Sequence, residues 1–180
     1  MTSLPAVASS FGRQTSTLPW FALQVRPRHE KNVAAHLMAR GYTHFLPLYR
    51  TRRRWSDRVK ILDLPLFTGY VFSRFDPQNR LPILTVPGVV GVVGFGRGPE
   101  PVDPSELAVI QRITMNGAPA EPWPYLNVGQ RVRVERGPLA GIEGILIQLR
   151  SRSRIVVSVS LLQRSVAAEI GRDCISPILR

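Results

Sequence analysis

Alternation of apolar and polar positions first becomes regular at Trp20. In WFALQV, Phe21, Leu23 and Val25 alternate with Ala22 and Gln24, the period of two expected of a half-buried strand. Pro27 interrupts the run. Between 28 and 40 the apolar residues Val33, Ala34, Leu37 and Met38 recur at helical spacing, and Gly41 stands where a glycine closes a helix. Residues 45–49 (FLPLY) and 59–64 (VKILDL) predict two strands flanking RTRRRWSDR, an extended and charged hairpin. A turn at 66–69 leads to YVFSRF (70–75), which alternates again. Asp76-Pro77 predicts a short helix with Asp as N-cap, kept brief or kinked by Pro82, because proline costs roughly 3 kcal/mol in a helix interior. Pro87-Gly88 turns the chain into the apolar strand VVGVVGF (89–95). Asp103-Pro104-Ser105-Glu106 predicts a helix start with a capping-box Glu, and Leu107, Ile110 and Ile113 then line one face. The order β-α-β-β-β-α-β-α is an α+β arrangement of a sheet with flanking helices.

The pattern then changes. Residues 117–127 (GAPAEPWPYLN) hold three prolines and no periodicity, which predicts a semi-extended linker. Beyond it Val132 and Val134 alternate with arginines, and Gly137, Gly141 and Gly144 turn the chain. ILIQL, IVVSVSL, VAAEI and a last strand around IGRDCI complete five short strands, the signature of a small closed barrel. The expected organisation is a tail at 1–18, a first domain at 19–116, the linker at 117–127 and a barrel at 128–180.

Charge adds a partner class. The 180 residues hold 24 Lys and Arg against 12 Asp and Glu, a net +12 that favours a polyanionic neighbour such as nucleic acid. Residues 50–60 carry Arg50, Arg52, Arg53, Arg54, Arg58 and Lys60 against Asp57 alone, with Trp55 at the centre. Two readings stand for this hairpin. It is a finger along phosphates with Trp55 stacking on a base, or a solvated edge blunted by its charges. The single Cys174 excludes an intrachain disulfide and a cysteine zinc site. His29, His36 and His44 are spaced by 7 and 8 residues, which is no metal signature. No cofactor is expected and no enzyme chemistry. No segment approaches the ~20 apolar residues of a membrane span, and a cytoplasmic monomer is expected.

Specific motifs carry a family resemblance. GQRVRVERGPLAGIEGILIQL followed by RIVVSVSLLQRSVAAEI resembles the SH3-like KOW barrel of NusG-type proteins. WFALQV from Trp20, FLPL from Phe45, LFTGYVF at 66–72, PGVVGVV from Pro87 and GRGPEPV at 96–102 resemble the NusG N-terminal (NGN) domain. The resemblance implies a transcription elongation factor whose first domain binds the clamp helices of RNA polymerase and modulates pausing, termination or antitermination. It assigns Phe21, Phe67, Val92 and Phe95 to the polymerase-binding depression. Arg26, Arg28 and His29, with Arg80, fall on the face toward non-template or upstream DNA, and Arg52, Arg53, Arg54 and Trp55 extend that surface. The barrel is expected to recruit a ribosomal protein or the Rho factor through Leu139, Ile142, Leu161, Leu162 and Arg164.

Some positions depart from the family pattern. Leu139 and Ile142 stand where Phe is frequent, Leu162-Gln163 where Phe-Gly is, and Thr68 where Pro is. These departures point to a specialised paralogue similar to RfaH, LoaP or UpxY. Gly141, Gly144 and the β-branched IVVSV disfavour a helical form of the second domain, so a stable barrel held permanently open is expected. The rival reading is a ribosome-associated KOW protein.

Overall fold

In the computed structural model, which describes residues 18–54, 59–96, 98–125, 129–149 and 152–178, the first alternation becomes β1 (Trp20–Val25). Every residue of it except Gln24 is buried, so the strand is covered on both faces where a half-buried strand was expected. Phe21, Leu23 and Val25 pack under α1 (Glu30–Ala39) with Val33, Leu37, Val71 and Phe75. Trp20 and Ala22 face the other way, into a second cluster with Phe67, Phe72, Leu107, Ile110 and Ile113. The chain enters α1 two residues later than predicted, because Arg28 is left-handed (φ 68°). It leaves through a Schellman closure at Gly41 (φ 76°), with Gly41 N–H donating to Met38 and Tyr42 N–H to Leu37.

Pro47 splits the predicted strand 45–49. It offers no N–H to a ladder, and the chain divides into β2 (His44–Phe45) and β3 (Leu48–Arg54). β3 pairs antiparallel with β4 (Val59–Pro65) from Leu48↔Pro65 to Arg54↔Val59, so the basic residues lie in the ladder itself. β5 (Tyr70–Arg74) pairs with both β1 and β2. The helix expected after Asp76 breaks into a 3₁₀ turn (Pro77–Asn79), capped by Asp76, and α2 (Leu81–Leu84), with Pro82 in its first turn where no N–H is needed. β6 (Val89–Val92) ends three residues before the predicted limit. The first sheet is antiparallel in the order β2-β5-β1-β6.

α3 (Pro104–Met115) is capped by Asp103, whose carboxylate accepts from Ser105 N–H at 2.7 Å and from Ser105 Oγ at 2.6 Å. The Glu106 side chain, which the capping-box pattern would turn back on the cap, reaches the second domain instead, as described below.

The segment predicted as a linker holds a strand. β7 (Ala120–Trp123) pairs antiparallel with β11 (Arg164–Ile170), with Ala120 opposite Ala168 and Trp123 opposite Ser165. Pro122 is tolerated because β7 is an edge strand. Arg154, little exposed, pairs with Glu121 on β7 and Glu169 on β11, fastening the added strand. β8 (Arg131–Val134), β9 (Glu143–Leu149), β10 (Arg152–Val159) and β12 (Ile175–Pro177) complete an antiparallel sheet in the order β12-β8-β9-β10-β11-β7. The expected five strands are thus six. Cys174 lies half-buried in a 3₁₀ turn before β12, outside the strand assigned to it. Gly144 fits because β10 passes so close: a Cβ there would lie 2.6 Å from both Ile155 Cγ1 and the Val156 carbonyl oxygen.

The second domain is a β-structure, as its glycines and β-branched residues require, and it packs against the first while Phe95 and Val90 stay exposed. One apolar cluster runs from Phe72 and Ile110 of the first domain to Val132, Ile155 and Val166 of the second. Strand propensity predicts the β-form but says nothing of this docking.

Ser105 hydroxyl and amide hydrogen bonds hold the Asp103 carboxyl below its ordinary value of 3.8. The cap therefore stabilises fully above that value, and the contribution is lost as pH falls through the lower folded-state value. Asp103→Ala is expected to cost about 0.5–1 kcal/mol at pH 7, the lower part of the N-cap range because the site is solvated. Denaturant titration checks it: the difference between wild type and variant shrinks below pH 4 if the assignment holds, and a pH-independent difference refutes it.

Candidate nucleic-acid and protein interface

Strand β6 is the free edge of the first sheet, and its surroundings are unusually apolar for an exposed position. Val92 is half-buried, Phe95 is 70% exposed, and Val90 and Leu81 are 59% and 69% exposed. A cavity of about 260 Å³ beside them is lined by Arg80, Leu84, Val92, Gly94, Gly96 and Gly98. Gly94 permits this closed loop, since a Cβ there would fall 1.9 Å from the Gly98 carbonyl oxygen.

Two residues assigned to the same surface are elsewhere. Phe21 is 2% exposed and tilted against Phe75 with centroids 4.8 Å apart, beneath α1. Phe67, also 2% exposed, meets Phe72 edge-to-face at 5.6 Å. In this arrangement both rings are core. The turn that carries Phe67 is held by Glu30, a buried carboxylate that accepts from Gly69 N–H at 2.8 Å.

Cations bracket the apolar edge. At its start, Arg26 N–H donates to the Gly88 carbonyl at 2.9 Å, and His29 lies close enough to Gly88 that a Cβ there would sit 3.2 Å from it. Arg26, Arg28 and His29 are all exposed. At its end stands Arg80, exposed beside Val92. The two predicted sets, apolar and cationic, therefore meet around one strand. The basic hairpin forms a separate feature. Arg52 is exposed, Arg50 is paired with Asp63 at 3.1 Å, and the backbone of Arg53 and Arg54 continues β3. Trp55 lies outside the described residues. A cleft of about 750 Å³ separates the hairpin base (Tyr49, Arg50, Arg52, Ile61) from Thr114, Gly117 and Ala118.

In the second domain, Leu139, Ile142 and Leu162 are 4%, 1% and 7% exposed, Leu161 is half-buried, and Arg164 is exposed. Leu139, Ile142, Leu161 and Leu162 lie in connections whose backbone meets α3, while Arg164 opens β11. Arg112 Nη2 donates to the Ala140 carbonyl at 2.5 Å, and Asn116 Nδ2 to the Pro138 carbonyl at 3.2 Å. Glu106 accepts from Ser160 N–H at 3.0 Å and from Ser160 Oγ at 2.6 Å. Sequence reading missed these three α3 residues. Their spacing of six and four places them on one helix face with Val109, but the capping-box motif offered Glu106 a local role.

Charge elsewhere on the second sheet is internally matched. The hydrogen bond from Arg133 holds the Glu143 carboxyl below its usual value, and Arg131 lies 3.7 Å from the same group. Among the described residues no three His, Cys, Asp or Glu side chains gather as a metal site, and no helix is long and apolar enough to cross a membrane. The chemistry on offer is recognition: an apolar edge with cations at both ends, and a loop surface engaged by a helix.

Comparison with known proteins agrees with this picture. The family model described as transcription termination factor nusG matches residues 18–111, more than half of the chain. The transcription termination/antitermination protein NusG of Campylobacter jejuni is 29% identical over 118 residues, covering 64% of this chain and 67% of the relative. Its counterpart from Escherichia coli strain K12 is 30% identical over 125 residues, covering 66% of this chain and 65% of the relative. A solved structure reported for domain interaction in Thermotoga maritima NusG superposes with a TM-score of 0.58 at 20% identity, over 92% of this chain and all of that one, and shows a shared fold. The α+β first domain, the antiparallel second sheet and the family match together place this chain in the NusG family of transcription termination/antitermination factors.

Proposed function

We propose that this chain binds RNA polymerase through the β6 edge of its first domain and alters pausing, termination or antitermination. The observation that carries this reading is the exposed Phe95 in the loop that follows β6, whose neighbours Gly94 and Gly96 line one cavity with Val92 and Leu84, an apolar surface that a solitary domain has no reason to keep in water. Arg26, Arg28, His29 and Arg80 lie where an apolar protein contact continues into phosphate contacts, which suits a factor seated between polymerase and its DNA. The hairpin residues Arg52, Arg53, Arg54 and Trp55 extend the same role.

The second domain recruits a further protein, such as a ribosomal protein or Rho, through Leu139, Ile142, Leu161, Leu162 and Arg164. Thr68, Leu139, Ile142 and Leu162-Gln163 support a specialised paralogue over the general factor. In single-round transcription a specialised factor changes terminator readthrough only on templates bearing its own recruitment element; equal action on every template assigns it the general role.

Phe95→Ala is expected to weaken retention of purified core polymerase at least about tenfold, as for a well-placed aromatic anchor, with thermal stability essentially unchanged. Phe67→Ala behaves differently, costing about 3–5 kcal/mol of folding stability because it empties a buried site. Binding assays and denaturant titration of both variants separate the roles. Full polymerase affinity in folded Phe95→Ala removes the β6 edge from the interface.

A further inference from the structure

The segment that runs from Val93 to Val102 is tied to β1 at both ends. Val93 N–H donates to the Ala22 carbonyl and Val102 N–H to the Trp20 carbonyl, each at 2.8 Å, and Glu100 N–H closes the base on the Val93 carbonyl at 3.0 Å. Inside that frame glycine stands at 94, 96 and 98, and all three are exposed. Without a Cβ at these positions a ligand can approach the backbone closely. Among the described residues none accepts a hydrogen bond from the amides of Gly94, Phe95, Gly96 or Gly98.

One cation borders this loop. Arg80 Nη1 lies 3.9 Å from where a Cβ on Gly98 would stand, and both residues line the cavity of about 260 Å³ at the end of β6. Arginines elsewhere in the fold are matched: Arg50 by Asp63, Arg133 by Glu143 and Arg154 by Glu121. Among the described residues no carboxylate matches Arg80, and none lines the cavity. Leu84 and Pro99 give it an apolar wall, and Val92 marks its border with the β6 edge.

We propose that this cavity is a phosphodiester subsite, in which Arg80 and the free amides of the glycine loop hold one phosphate of a nucleic-acid strand while Leu84 and Pro99 take the adjoining sugar. It deepens the reading of the β6 edge given above and rests on it. The chemistry of the parts selects the ligand. A guanidinium fork and a set of backbone N–H groups offer donors alone, so an anion with several oxygens satisfies them. A tetrahedral phosphate presents its oxygens in more directions than a planar carboxylate, which suits donors that come from two separate elements. Leu84 and Pro99 gain nothing from free phosphate, whereas the C–H face of a sugar covers them. Contacts of this kind carry no base information, so the subsite fixes where a strand lies and not which sequence it has. Because both stems are anchored to β1, the loop is held in shape before the strand arrives, and little ordering cost falls on binding.

The test uses the full chain without polymerase, so that the subsite and the reading it rests on fail separately. ¹⁵N spectra are recorded as single-stranded oligothymidylate is added. In wild type the amides of Gly94, Gly96 and Gly98 shift saturably, and they stay still with a methylphosphonate oligomer, whose linkages are neutral. Arg80→Gln weakens binding about tenfold, as for one charge-assisted contact. It also lowers the slope of log K against log salt by about 0.7, the share of one phosphate on a single strand. Arg80 is exposed, so the variant keeps the wild-type spectrum elsewhere. Arg80→Lys restores the slope but only part of the affinity, since an ammonium keeps the charge without the fork. An unchanged slope in Arg80→Gln, unresponsive glycine amides, or an equal response to the neutral oligomer refutes the subsite. Core polymerase stripped of nucleic acid is retained equally by wild type and Arg80→Gln; a loss there reassigns Arg80 to the protein contact and overturns the proposal. Failure of wild type itself to retain polymerase overturns the β6 reading alone, and the oligothymidylate titration still decides the subsite.

Discussion

A single helix with two occupied faces holds this molecule in the form described. Leu107, Ile110 and Ile113 supply one wall of the first domain's core, opposite Trp20, Ala22 and Phe72. Without that wall the inner face of β1 would be bare, and β1 would be the half-buried strand that its alternation predicts. Turned by roughly a quarter of a revolution, the same helix presents Val109 and three hydrogen-bonding side chains to the second sheet. Burying a side chain of this size contributes on the order of 1.5–3 kcal/mol, so the three core residues bind the helix to its own domain far more firmly than the polar face binds it to the other.

Much of the fold was legible because its signals are local. The N-cap at Asp103, the closure at Gly41 and the alternation in β1, β5 and β8 are each written within a few residues and formed where expected. The misses share a physical cause, namely that partners distant in sequence decided the outcome. Pro119, Pro122 and Pro124 mark 117–127 as a spacer, yet β11 offers a free edge and Arg154 a charge, and β7 forms against proline's local preference. Glu106 has a capping role available and takes a bond 54 residues away instead. Phe21 and Phe67 sit on strand and turn patterns that an exposed or a buried ring fits equally well. Only the placement of Phe75 and Phe72 beside them settles it. For the site, sequence named the cationic residues and Val92 and Phe95 separately, and the β1–β6 pairing brings them to one strand.

The arrangement around β6 also bears on what kind of surface it meets. Apolar side chains in the middle of the edge exclude partners that are uniformly charged, since they gain nothing from desolvating Phe95 or Val90. Arginines at both ends exclude partners that are uniformly apolar, since guanidinium groups lose water there without compensation. The composite partner proposed above, with protein in the middle and phosphate at the margin, satisfies both. The hairpin differs. Its Arg50 is already matched by Asp63, so the role proposed for the hairpin falls to Arg52 and the residues that follow it.

Shortening the tether changes how the two domains find each other again. A spacer of eleven residues would let the second sheet explore a wide volume after release, and docking would compete with that entropy. With β7 paired to β11, only Asn116, Gly117, Ala118 and Pro119 remain between α3 and the sheet, and Gly117 already takes a left-handed turn (φ 64°) that points the chain back. The loops are therefore held near the helix face, at an effective concentration in the millimolar range typical of short linkers. A seam made of a few solvent-exchanging hydrogen bonds and one valine is adequate under those conditions, where it would fail between separate molecules. The Arg154 clamp thus acts beyond the second sheet: by holding β7 it sets how far the second sheet can lie from α3.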